Sequence, residues 1–75
     1  MISRERNYPA LVKEVRRQLA LSQEDLAREL GVSYTTINRW ENRQSNPSKM
    51  AKMLLDSFCQ KMTKQGNLNL PASLR

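Results

Sequence analysis

An all-α fold, a compact bundle of four to five helices, is what this sequence predicts. Three observations carry the prediction. Apolar residues recur at spacings of three and four along most of the 75 positions, the period of a helix with one buried face. The periodic segments are preceded by a serine, an asparagine or a proline, and glycine closes the central one, which are the usual start and stop signals. No segment shows the apolar–polar alternation of a half-buried strand.

The first helix is expected over 9–19. Pro9 suits a first turn, where its missing N–H has no partner in any case. Leu11, Val12, Val15 and Leu19 form its apolar stripe, and Lys13, Glu14, Arg16, Arg17 and Gln18 its wet side. The second helix, over 23–30, has the clearest start. Ser22 is placed to accept from the free N–H groups of the first turn, and Glu24 and Asp25 put negative charge at the positive end of the helix dipole. Asp25, three residues after Ser22, is a near match to a capping box, and Leu21 with Leu26 to a hydrophobic staple. Gly31 ends the helix. The third, over 34–42, repeats the device with Ser33 as cap and Val32 with Ile37 as staple. The fourth opens at Asn46-Pro47, a cap followed by proline at the first helical position, and runs to residue 64. Residues 66–75, GNLNLPASLR, lack the helical period and read as a mobile tail. The chain thus divides into an N-terminal arm over 1–8, a helical domain over 9–64 with its heart at 22–42, and a C-terminal tail over 65–75.

One domain is the most that such a length supplies. A chain this short buries only about 60% of the surface its unfolded form exposes, so it needs disulfides, a metal, close helix packing or a partner. Cys59 is the single cysteine and histidine is absent. That excludes an internal disulfide and the ordinary zinc sites, and no cofactor or metal is expected. The lone thiol fits a reducing compartment. The polar opening MISRERNYPA is unlike a signal peptide, and no apolar run approaches the ~20 residues of a membrane span, so the protein reads as cytoplasmic. An enzyme is not expected, because there is no histidine, no glycine-rich phosphate loop and no clustered carboxylates. Thirteen Lys and Arg against seven Asp and Glu leave a charge of +6, a surplus that favours a polyanionic partner, nucleic acid or an anionic membrane.

In SQEDLARELGVSYTTINRWEN two short helices are joined by Gly31-Val32-Ser33. A three-residue link containing glycine is what a DNA-binding helix-turn-helix requires. Ala27 is small where the two helices approach, and Leu26, Leu30, Val32, Ile37 and Trp40 are apolar where a core is needed. Glycine, caps, staples and apolar spacing agree in register, and that agreement makes the signal strong. At ~100° per residue, the third helix turns Ile37, Trp40, Glu41 and Tyr34 towards the core. Thr35, Arg39 and Asn42 turn away from it, flanked by Thr36, Asn38 and Arg43. This outer face holds no carboxylate, and its residue types read base edges and phosphates; the plain alternative is a solvated face. The expected base contacts are Tyr34, Thr35, Asn38 and Arg39. Arg39 suits bidentate donation to guanine, and Thr35 suits a thymine methyl. Tyr34, on the boundary, serves either core or groove. The expected phosphate contacts are Ser22, Gln23, Thr36, Asn42, Arg43 and Lys49, although capping alone explains Ser22.

The string LSQEDLARELGVSYTTINRWEN, followed by Asn46-Pro47-Ser48, resembles the phage-repressor/Cro-like (Xre) helix-turn-helix family, whose members read LSQEELA, then LGVS, then WEN, then Pro-Ser. The resemblance covers residues 9 to about 60. It implies a bundle of the lambda-repressor-like DNA-binding type, DNA contact through the third helix, and dimers on palindromic sites. It further implies a phosphate role for Gln23, and a pairing of Glu41 with an arginine of the first helix, Arg16 by register and Arg17 second. In two places the chain departs from the family. Arg43 stands where members often carry glycine, and a short tail follows the fourth helix where a fifth is common.

On the wheel of the fourth helix, Met50, Ala51, Leu54 and Phe58 make a docking face for the other three. Leu55, Cys59 and Met62 widen the apolar arc to nearly half the circumference. An uncovered stripe of this kind marks an interface, so an isologous homodimer with Leu55, Cys59 and Met62 near the axis is expected. In the alternative, Leu68 and Leu70 fold back over the stripe in a monomer. Together these features predict a sequence-specific double-stranded DNA-binding protein, a transcriptional regulator of repressor type, with helix 34–42 in the major groove and no small-molecule ligand evident. The alternatives are a protein-interaction or antitoxin-type module on the same fold, and a structured-RNA binder.

Overall fold

The computed structural model describes residues 6–75. Positions 1–5 of the expected arm, and with them half of the opening compared with a signal peptide, lie outside the described residues. Four α-helices, α1 (Tyr8–Leu19), α2 (Gln23–Leu30), α3 (Tyr34–Glu41) and α4 (Lys49–Lys64), are followed by one 3-10 turn, Ala72–Leu74. No strand occurs among the described residues, so the fold is the all-α bundle that the periodicity predicts.

Every α-helix starts on a side-chain cap. Asn7 Oδ1 accepts from the Ala10 N–H at 3.2 Å, and Ser33 Oγ from that of Thr36 at 3.1 Å. At α2 the box is complete, with the Asp25 N–H donating to Ser22 Oγ at 2.9 Å and the Ser22 N–H to Asp25 Oδ2 at 3.1 Å. Asp25 serves because its shorter side chain still spans the distance that Glu usually covers. The start of α4 corrects the sequence reading. Its cap is Ser48, whose hydroxyl accepts from the Ala51 N–H at 3.1 Å. Pro47 lies outside the helix with its ring buried, an apolar anchor for the incoming chain.

The four helices also end alike. Ala20, Gly31, Arg43 and Gly66 take left-handed backbone angles, with φ of 55°, 74°, 62° and 77°. The N–H of each following residue reaches back to the carbonyl five positions earlier: Leu21 to Arg16, Val32 to Ala27, Gln44 to Arg39 and Asn67 to Met62, at 2.9–3.0 Å. These are Schellman closures, which satisfy carbonyls the helix leaves free.

Both α1 and α2 pack across α3, α2 also meets α4, and the 3-10 turn lies on α1. Leu11, Val12, Val15, Leu26, Ile37 and Leu55 are completely enclosed, with Trp40 and Phe58 nearly so. The buried Tyr8 ring carries the Arg6 guanidinium and the Lys52 ammonium 5.7 and 5.4 Å from its centroid.

The tail departs from expectation. Residues 66–75 fold back along α1. The Asn69 N–H donates to Gln18 Oε1 at 2.8 Å, and Gln18 Nε2 donates to the Asn69 carbonyl at 3.0 Å. Leu68 and Leu70 are buried in the common core. Two residues apart in extended chain, they point to the same side, the fold-back that the sequence offers as the alternative to a dimer.

This folding-back overturns the expected dimer axis. Leu55 is 0% exposed and Cys59 5% exposed within one chain, and Met62 is partly buried against the same core. The exposed apolar side chains of α4 are Met50, Met53 and Leu54. A half-circumference arc has two edges, and spacing alone does not say which edge meets the bundle. The edge holding Leu55 does, because Leu68 and Leu70 complete its cover.

Candidate nucleic-acid interface

The outer side of α3 is presented by its two packing neighbours. Because α1 and α2 hold the Ile37–Trp40–Glu41 side, Thr35 and Arg39 are left to solvent, with Asn42 and Arg43 just beyond the helix. Tyr34 is 51% exposed, which settles its boundary position outward. Thr36 and Asn38 are half-buried. Of the two, Thr36 exchanges a 2.9 Å hydroxyl contact with the capping Ser33. Lys49 is the first residue of α4 and stands exposed at its positive end. A cation there opposes the helix dipole by some ~0.3–1 kcal/mol, a cost that an anion would relieve.

Charge pairing separates these cations from four arginines elsewhere in the chain. Arg6, Arg16, Arg17 and Arg28 each sit in an ion pair with Asp56, Glu41, Glu14 and Asp25 respectively. Among the described residues Arg39, Arg43 and Lys49 have no such partner. Arg39 thus stands unneutralised on the outer face of α3 and Arg43 just past its end, where no carboxylate of that helix faces them, and Lys49 stands unneutralised at the start of α4.

Behind the face runs a polar relay that the sequence shows only in part. Arg16 grips Glu41 with two parallel bonds, Nε to Oε2 at 2.6 Å and Nη2 to Oε1 at 2.9 Å, and its Nη1 donates to the Leu21 carbonyl at 3.1 Å. Gln23 Nε2 donates to Glu41 Oε1 at 3.0 Å, Asn38 Nδ2 to Gln23 Oε1 at 3.3 Å, and Asn42 Nδ2 to Asn38 Oδ1 at 3.1 Å. Burial pushes the Glu41 carboxyl up, but the bonds from Arg16 and Gln23 and the charges of Arg16 and Lys13 outweigh it and hold the group below its ordinary value. Arg17, the second candidate for Glu41, bonds Glu14 instead at 2.5 and 2.9 Å. Gln23 has both ends of its amide engaged, and Asn38 bridges Gln23 to Asn42, so in the free protein these two brace α2 against α3. Amides spaced for such a brace look the same in sequence as amides spaced for DNA.

The left-handed Arg43 explains the glycine common at its position. A side chain there is strained by roughly 1–2 kcal/mol, while the chain keeps a cation at the end of α3.

Two short helices joined by a tight glycine turn, the second packed on its inner side and cationic on its outer side, define a helix-turn-helix domain. A helix-turn-helix family model matches residues 12–51, more than half of the chain, and the protein belongs to that family, the Xre/Cro-like type of helix-turn-helix. No curated protein and no solved structure matches the chain.

Proposed function

We propose that this protein binds double-stranded DNA sequence-specifically as a cytoplasmic transcriptional regulator of repressor type, with α3 in the major groove. The observation that carries the reading is the outer face of α3, which holds no carboxylate and carries the unpaired Arg39, with the unpaired Arg43 just past its end. In this reading Arg39 and Thr35 meet base edges, with Tyr34 at the leading end of the helix and Asn38 behind them. Arg43, Lys49, Asn42, Thr36 and the N-terminus of α2 with Ser22 and Gln23 meet phosphates. Gln23 and Asn42 each spend one amide hydrogen on the relay and keep a second for a phosphate.

Titration of a selected duplex at several salt concentrations tests the assignment. Arg39→Ala is expected to cost ~1–3 kcal/mol on the preferred site and to relax preference at one base pair. Arg43→Ala and Lys49→Ala should instead weaken binding on every sequence, each flattening the slope of log K against log salt by ~0.9 per phosphate released. An equal loss on all sequences for Arg39→Ala would make that residue a phosphate contact, and a slope unmoved by Arg43→Ala and Lys49→Ala would remove them as anchors.

A two-fold mate belongs to the same reading, since two half-sites one DNA turn apart require two recognition helices. Met50, Met53 and Leu54, 72%, 63% and 41% exposed, form one stripe at helical spacing. In this reading the second copy seats on that stripe, which begins one residue after Lys49. Sedimentation at high micromolar concentration should give a dimer that Met53→Asp splits. A monomer unchanged by that substitution would contradict this interface.

A further inference from the structure

A groove of about 540 Å³ lies between the C-terminal half of α4 and the folded-back tail. Its floor is the buried Cys59 and Leu70, and its walls include Arg6, Asp56, Lys64 and Arg75. The volume is in the range that small molecules occupy.

The charges around it do not balance. Among the described residues Asp56 is the one side-chain carboxylate of the lining, and it is already taken by Arg6. Lys64 and Arg75 face the groove with no carboxylate partner among the described residues. Arg75 spends its Nε on the Leu70 carbonyl at 3.0 Å, which leaves the remaining guanidinium donors without an anion. Arg6 adds a buried Nε with no acceptor, although its two other nitrogens bond Asp56 and the Leu74 carbonyl. An unmet buried donor is a standing cost. The floor, by contrast, carries no charge, because burial pushes the Cys59 thiol up to about 11 and it stays protonated at neutral pH.

An apolar floor under unmatched cations suits one ligand chemistry. We propose that this groove binds a small amphipathic carboxylate, its apolar body on Cys59 and Leu70 and its acid group between Lys64 and Arg75. None of the lining residues belongs to α2 or α3, so the site is separate from the DNA-facing side and does not depend on the DNA reading.

Nitrogen-15 NMR titration of the full chain with 2-naphthoate tests the proposal, with 2-naphthalenemethanol as the uncharged control. Saturable shifts centred on Cys59, Lys64, Leu70 and Arg75 are expected, with the alcohol at least tenfold weaker. Lys64→Gln should weaken naphthoate severalfold and leave the alcohol unchanged. Lys64 is exposed and carries no internal bond, so the variant keeps the fold. Gln60→Trp, an exposed groove position of α4, should block both probes. Unsaturable or scattered shifts, equal binding of the alcohol, or naphthoate affinity indifferent to Lys64→Gln would each overturn the assignment.

Discussion

Arg16→Ala is expected to destabilise the protein by about 3–5 kcal/mol, the usual cost of removing one partner from a buried ion pair. Glu41 is 5% exposed, and without Arg16 only the Gln23 amide remains against its carboxylate. For a chain of this size that is a large share of the total stability. Glu41→Ala should cost less, because the Arg16 side chain is 26% exposed and a freed guanidinium reaches water. The double variant should lose less than the sum of the two; strict additivity in urea denaturation would contradict the pairing.

The same pair fixes the response to acid. The folded Glu41 carboxyl lies below its ordinary value of 4.5, so the unfolded chain binds the proton more readily. Its stabilisation is therefore fully present above that value and is lost as pH falls through the folded one. Glu14, held at about 2 chiefly by the Arg17 and Gln18 bonds, and Asp25, held low by Ser22, act in the same direction. The informative quantity is thus the difference between wild type and Glu41→Gln. Below pH 4.5 the two stability curves should converge, and parallel curves would mean that Glu41 titrates normally.

Leu68→Ala with Leu70→Ala is the second large effect. Each removes a side chain that is 3% or 7% exposed, and Leu→Ala at enclosed sites costs ~2–5 kcal/mol. The pair should bring the domain near unfolding at ambient temperature, seen as an early urea midpoint by circular dichroism, while Asn69→Ala changes little. A double variant with the wild-type midpoint would show that the tail adds nothing to the core.

These two effects also mark where the sequence is readable. Ser22, Ser33 and Gly31 declare their helices because caps and left-handed turns restrict residue type, and the Ile37–Trp40–Glu41 side follows from period alone. Ala20 and Arg43 close helices in the same left-handed geometry as Gly31 and Gly66, yet nothing in an alanine or an arginine announces it. Leu68 and Leu70 belong to the core through extended chain, outside any helical period. The Arg16–Glu41 pairing is implied by the family resemblance, whereas the extension of the relay through Gln23 and Asn38 depends on rotamers that spacing does not determine. The outer face of α3 was legible for a simpler reason: a helix packed on one side leaves the other side, and its residue types, in plain view.

The central claim is that α3 reads duplex DNA. Selection of bound fragments from a random duplex library, carried out with structured RNA as competitor and repeated with Arg39→Ala, tests it most directly. The wild type should enrich one motif despite the competitor, and Arg39→Ala should enrich the same motif relaxed at one base pair. A library that stays random through successive rounds, or duplex displaced by the RNA, would contradict it.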